Sequence, residues 1–166
     1  MAKPSFSAAW AASQRIYDPV NSGQHVAKII GGKVAYNINH PNPTMRWDNT
    51  CAVRMSYILN YSGTPVPFVP GATVSGDDKR WYFYRVRGLI LYLAKIWGKP
   101  EVVQYPPTDG GPLSGKKGLV LFEISGWTDA AGHATLFDGR NCYDHCYFNE
   151  PGARHRTERA NFWSLS

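Results

Sequence analysis

Three residues of this 166-residue chain have the types and settings that acyl-transfer chemistry needs: Cys51, His133 and Asp144. Cys51 lies in "NTCAVRMSYILN", where an apolar run begins. Ala52, Met55, Ile58 and Leu59 recur at three- and four-residue spacing, which predicts a helix with one buried stripe. Thr50 or Asn49 is the kind of side-chain acceptor that caps free N–H groups at a helix start. Cys51 then falls in the first turn, at the positive end of the helix dipole, where a thiol ionises more easily and the reactive thiolate is favoured. The competing reading is packing. Cys51, Met55 and Ile58 also share a face, and free cysteines are commonly buried. Taken alone, the stretch fits packing better.

A second segment alters that balance. In "GHATLFDGRNCYDHC", Asp138-Gly139 is a favoured two-residue hairpin turn. If these two residues form the loop, Phe137 faces Arg140, Thr135 faces Cys142 and His133 faces Asp144. Directly opposed side chains share a face at about 4.5–5.5 Å between Cβ atoms. A one-residue slip destroys the pairing. A histidine held by a carboxylate is oriented as a general base and stabilised when charged. With a thiol at a helix start, these are the parts of a cysteine hydrolase. Cys51 attacks a carbonyl carbon, His133 takes its proton and returns it to the leaving amine, and Asp144 fixes the imidazole. The Cys51 backbone N–H is the expected oxyanion donor, with Trp47 or Asn49 as possible help.

The three cysteines divide unevenly: Cys142 and Cys146 are close, and Cys51 is remote. That pattern suggests a disulfide plus a free thiol. Cys142, His145 and Cys146 with Cys51 or His133 form an alternative, a tetrahedral zinc set in a binding module, although one Cys-x₃-Cys without a second pair is a weak zinc signal. His25, His40, His145 and His155 read as surface or loop residues. A disulfide requires an oxidising compartment, yet "MAKPSFSAAWAASQRIYD" has no continuous apolar core and is not a recognisable signal peptide.

The elements that must position these residues follow from periodicity. Residues 4–17 and 22–30 read as helices, with Ser5 near the start of the first and Phe6 and Trp10 on one of its faces. "HPNPTMRWDN" is a loop, broken by its prolines. A long turn-rich connection follows the Cys51 helix. Residues 84–98 form the clearest later helix, with Leu89, Ile90 and Leu93 on its buried side and Gly98 as its stop. Residues 119–124 are a strong strand, and "KPEVVQY" a short one. Helices precede strands, so an α+β domain spanning 1–166 is expected. Hydrophobic residues at 43% and charged residues at 18% describe a globular chain. No run reaches the length of a membrane span. The net charge of +6 suits an anionic partner, but the basic residues are scattered and no nucleic-acid motif is evident, so "DDKRWYFYRVR" and "ARHRTER" read as solvated faces. Trp127, beside a glycine turn, is a substrate-groove candidate.

Together, "NTCAVRMSYILN", "VSGDDKRWYFYRV", "GKKGLVLFEISGW", "GHATLFDG" and "CYDHC" resemble the fourth family of type VI secretion amidase effectors, as do "KPSFSAAW" and "IIGGKVAYNI" near the N-terminus. The resemblance implies a papain-like, NlpC-type fold with no metal or organic cofactor. It implies a toxin that cuts peptidoglycan stem peptides between D-glutamate and meso-diaminopimelate. By motif, Cys51 is the nucleophile, His133 the base and Asp144 the third member, with a Cys142–Cys146 disulfide. A cognate immunity protein that blocks the groove is implied as well. Delivery by the type VI machinery into a rival's periplasm reconciles a disulfide with the missing signal peptide. The tail after Pro151 matches no motif, and a hydrolase or transferase acting on another amide keeps the same machinery.

Overall fold

A computed structural model describes residues 1–127 and 131–166. Three helices open the chain: α1 (Phe6–Ile16), α2 (Ser22–Ile30) and α3 (Gly32–Ile38). Ser5 caps α1 by accepting from the Ala8 N–H at 3.2 Å, and Phe6 and Trp10 lie 5.4 Å apart on one face. The expected loop follows, with a single 3₁₀ turn at Pro43–Met45. Then come α4 (Cys51–Asn60), a small hairpin of β1 (Thr73–Ser75) and β2 (Trp81–Phe83), and α5 (Val86–Trp97). The second half supplies β3 (Glu101–Gln104), β4 (Gly118–Ser125), β5 (Gly132–Phe137) and β6 (Arg156–Ser164). These four strands form one antiparallel sheet in the order β3-β6-β4-β5.

Alternation along β4 sends successive side chains to two separate cores. Leu119 and Leu121 join Ala134, Leu136 and Trp163 against the helices. Val120, Phe122 and Ile124 join Phe137, Phe148 and Phe162 on the opposite face. Helix α4 is buried along its whole length rather than on one stripe, as befits a helix that packs on α1, β2 and β5 at once. Two of its polar residues are paired with β2. Ser56 Oγ accepts from the Phe83 N–H at 2.8 Å, and Asn60 donates to the Trp81 carbonyl at 2.9 Å. These bonds tie β2 to the middle and end of α4.

Three expectations are corrected. Helix α3 follows "IIGG" where no helix is expected from periodicity. Gly31 has φ 66°, so the chain ends α2 and restarts at a new angle. The charged tail is more than a solvated face: its arginines stay exposed, yet β6 lies between β3 and β4, inside the sheet. The hairpin register also differs. Phe137 pairs with Cys142, not Arg140, in a single isolated bridge. Asp138 Oδ1 accepts from the N–H groups of Arg140 and Asn141, so the turn is longer than two residues and is closed by an aspartate side chain. Gly139, at φ 99°, supplies the left-handed conformation there. No second strand grows from this turn; the partner of β5 is β4.

Candidate active site

Helix α4 delivers Cys51 in its first residue, as expected. Thr50 occupies the cap position without a side-chain bond, and the acceptor is Asn49, whose Oδ1 takes the Cys51 N–H at 3.0 Å. That bond corrects a further expectation. The Cys51 N–H is engaged by Asn49 and becomes available as a donor only if this amide gives way.

His133 is the second residue of β5, an edge strand, and is buried. The preceding Gly132 is needed for close packing: a Cβ there would collide with the Phe122 carbonyl of β4 and press on Val86 of α5. The Cys51 Sγ lies 4.0 Å from the Gly132 carbonyl, which brings the thiol to the histidine's strand.

Asp144 reaches His133 even though the expected register is off. The shift is two residues, and a two-residue shift preserves which face each side chain takes. Asp144 therefore sits opposite Thr135 and leans diagonally to His133. Its Oδ1 accepts from Thr135 Oγ1 at 2.5 Å and from the His145 N–H at 2.6 Å. Its Oδ2 lies 2.9 Å from His133 Nε2 and 3.0 Å from Arg54 Nη1. The histidine contact is close but off the line of a straight N–H···O bond. With Nε2 turned to the carboxylate, Nδ1 is the ring nitrogen left for the thiol.

The charges reinforce one another. Burial raises the Cys51 thiol, but the adjacent His133 imidazolium, helped by the Ala134 N–H and Arg54, outweighs it and leaves the thiol lowered. Burial lowers His133, yet the Cys51 thiolate and the Asp144 carboxylate lift it to about 9. Burial raises Asp144, and His133, Arg54 and Thr135 together pull it down to about 2. The favoured state is a thiolate–imidazolium pair backed by an ionised carboxylate.

Cys142 and Cys146 form a disulfide, with Cα atoms 5.3 Å apart and Asp144 between them. Their sulfurs are joined, so they are unavailable as thiolate ligands, which removes the zinc set. Closing so short a loop contributes roughly 2 kcal/mol in the chain-entropy model. We expect a Cys142→Ser, Cys146→Ser double variant to lose about that much stability by urea unfolding. Its Asp144 should also become mobile, read as a weakened His133–Asp144 coupling in the imidazole NMR titration.

Two hollows flank the thiol–imidazole pair. A groove of about 1140 Å³ is lined by Cys51, Trp47, Tyr84, Arg85 and Asn161 among others. A smaller polar hollow is bounded by Asn49, Arg54, Trp127, His133 and Tyr147. One tryptophan borders each, Trp47 the groove and Trp127 the hollow. Trp47 stacks on Tyr84 with ring centroids 5.1 Å apart, and Trp127 meets Tyr147 edge-on at 4.8 Å. Sequence reasoning overlooked Arg54, Thr135 and Tyr147. Arg54 had a usable signal: it is the one charged residue in "CAVRMSYILN", one turn beyond Cys51. Thr135 and Tyr147 had none.

The chain matches the family model for type VI secretion system amidase effector protein 4 over residues 47–163. No curated protein matches it. Among solved structures, the Tae4–Tai4 effector–immunity complex from Enterobacter cloacae aligns with TM-score 0.85 and 39% identity, covering 99% of this chain and 100% of that one. Tae4 alone from the same organism aligns at 0.84 and 40%, covering 99% and 98%. The Tae4–Tai4 complex from Salmonella Typhimurium aligns at 0.83 and 36%, covering 99% and 100%. The mixed arrangement of helices and antiparallel sheet is the one these structures share, and the chain belongs to the Tae4 family of type VI secretion amidase effectors.

Proposed function

We propose that this protein is a peptidoglycan endopeptidase that cuts stem peptides between D-glutamate and meso-diaminopimelate, with Cys51 as nucleophile. The observation that carries the reading is the buried Cys51–His133–Asp144 arrangement at the start of α4. The thiolate adds to the amide carbonyl, and the tetrahedral intermediate collapses as His133 protonates the departing amine. A thioester to Cys51 remains. Water, deprotonated by His133, then hydrolyses it and releases the carboxylate product.

The two hollows give the substrate a direction. Cys51 borders the larger groove and His133 the smaller hollow. The acyl portion therefore occupies the groove and the leaving amine the hollow beside Trp127 and Tyr147. A γ-linked D-glutamate keeps its α-carboxylate free on the acyl side, where Arg46, Arg85 and Arg87 line the groove. When the Asn49 carboxamide turns away from the Cys51 N–H, that N–H and the Asn49 NH₂ are the donors that serve the oxyanion.

Delivery by the type VI machinery into a rival's periplasm, where the disulfide can form, accords with the family. So does a cognate immunity protein that occupies the groove. The test is mass spectrometry of fragments released from diaminopimelate-type sacculi by the protein under oxidising conditions, with iodoacetamide-treated protein as control. New termini at D-glutamate, from untreated protein only, are expected. Termini at another bond, or release by alkylated protein, would overturn the assignment.

A further inference from the structure

Arg54 is a guanidinium in the core. Its side chain is only 7% exposed, and burying such a group is costly unless it is paired. It is held on several sides. Nη1 donates to Asp144 Oδ2 at 3.0 Å and to the Tyr143 hydroxyl at 3.1 Å. The guanidinium carbon lies 4.9 Å from the Tyr17 ring centroid and 5.7 Å from that of Tyr143, so aromatic faces from two parts of the chain flank it. Its Oδ2 partner is the same atom that His133 Nε2 approaches. Arg54 and His133 therefore share one carboxylate oxygen, and both lie on the cluster that includes Cys51.

We propose that Arg54 is a positioning residue for the Cys51–His133–Asp144 site, fixing the Asp144 carboxylate from behind and balancing the buried charge of the thiolate form. The proposal rests on Cys51 being the nucleophile and not on which bond is cut. With Arg54 present, the thiolate, imidazolium, carboxylate and guanidinium sum to zero. Without it, losing the thiol proton leaves a net negative charge inside the protein, which low dielectric makes unfavourable. The other titratable groups facing the cluster are Tyr17 and Tyr143 on the guanidinium, Tyr147 against His133, and Asp48 at the rim of the smaller hollow. None of these supplies a second cation. His145, next to Asp144 in the chain, packs on Tyr147 and is exposed. Arg54 also favours the Cys51 thiolate directly by its charge.

The test is the pH dependence of Cys51 alkylation by iodoacetamide in oxidised protein, where Cys51 is the free thiol, for wild type, Arg54→Met and Arg54→Lys. Arg54→Met should move the acid midpoint up by about one pH unit, a roughly tenfold slower reaction below both midpoints. Arg54→Lys restores the charge but not the planar guanidinium that lies over the Tyr17 and Tyr143 rings while Nη1 bonds Asp144. Its midpoint should return to that of wild type while kcat stays about tenfold low at unchanged KM. Should Arg54→Met fail to fold, that split in Arg54→Lys decides the matter. An Arg54→Met profile superimposable on wild type, or wild-type kcat in Arg54→Lys, would overturn the proposal. Because alkylation needs no substrate, a failure here leaves the peptidoglycan assignment untouched.

Discussion

Cys51→Ala is expected to reduce stem-peptide cleavage by about 10⁶-fold, the scale on which removing the nucleophile of a hydrolytic triad acts, while leaving the protein folded. No other group can replace the sulfur. His133 is turned to Asp144, and the remaining cysteines are locked in a disulfide. The structural cost is small by comparison. Cys51 is buried at the start of α4, so losing its sulfur opens a minor cavity costing about 1 kcal/mol. In a domain of this size that lowers Tm by about 2–4 °C. The two readouts separate the competing roles of this residue. If Cys51 were only a core hydrophobe, alanine would shift Tm by the same amount and turnover would persist. Residual kcat/KM within tenfold of wild type, measured on fully folded protein, would remove Cys51 as the nucleophile.

The cysteine, its helix and the histidine were legible because each rests on short-range rules. The stretch from Cys51 to Asn60 carries its own period, and α4 begins where the sequence indicates. The strand at His133 follows from a run of residues bounded by turn signals. What was lost depends on tertiary context. "ARHRTER" reads as a solvated face because its basic residues are scattered and carry no nucleic-acid motif. Yet β6 threads between β3 and β4, with Arg156 and Arg159 kept at the surface, where they lie near Glu158 and Glu123, while Thr157, Ala160 and Phe162 point inward. Local propensity does not reveal which strand will be central.

Asp144 reaches His133 by a partly different route from the one expected. An Asp-Gly pair suggested a two-residue turn, but the Asp138 side chain bonds two backbone N–H groups and lengthens it. The two-residue error kept Asp144 on the right face, whereas a one-residue error would have turned it away. Arg54 stayed hidden because a guanidinium in an apolar helix reads as exposed. Only the fold shows that Tyr17, Tyr143 and Asp144 converge on it.

Asp144→Asn should lower kcat by about 10²–10⁴-fold, the range in which neutralising the carboxylate of a triad acts, whereas Asp138→Asn should change it by no more than about twofold. The two aspartates do different work. Asp138 closes a turn through one oxygen that asparagine also possesses. Asp144 accepts from Thr135 and the His145 N–H on one oxygen and faces Arg54 and His133 on the other. An asparagine can offer its oxygen to only one of these sides. Its NH₂ then confronts donors on the other, and two buried cations lose the anion between them. Removing one partner of such a pair costs about 3–5 kcal/mol, so the variant should also be distinctly less stable at neutral pH. The pH dependence gives the sign. The Asp144 carboxyl is depressed from 3.8 to about 2 in the fold. Its contribution is therefore complete above 3.8 and is lost as pH falls through about 2. Wild type should lose stability across that window, and Asp144→Asn should be flatter there in urea unfolding. If Asp138→Asn proved the more damaging to kcat, the carboxylate behind His133 would have to come from the turn, and the diagonal contact from Asp144 would be a packing feature alone.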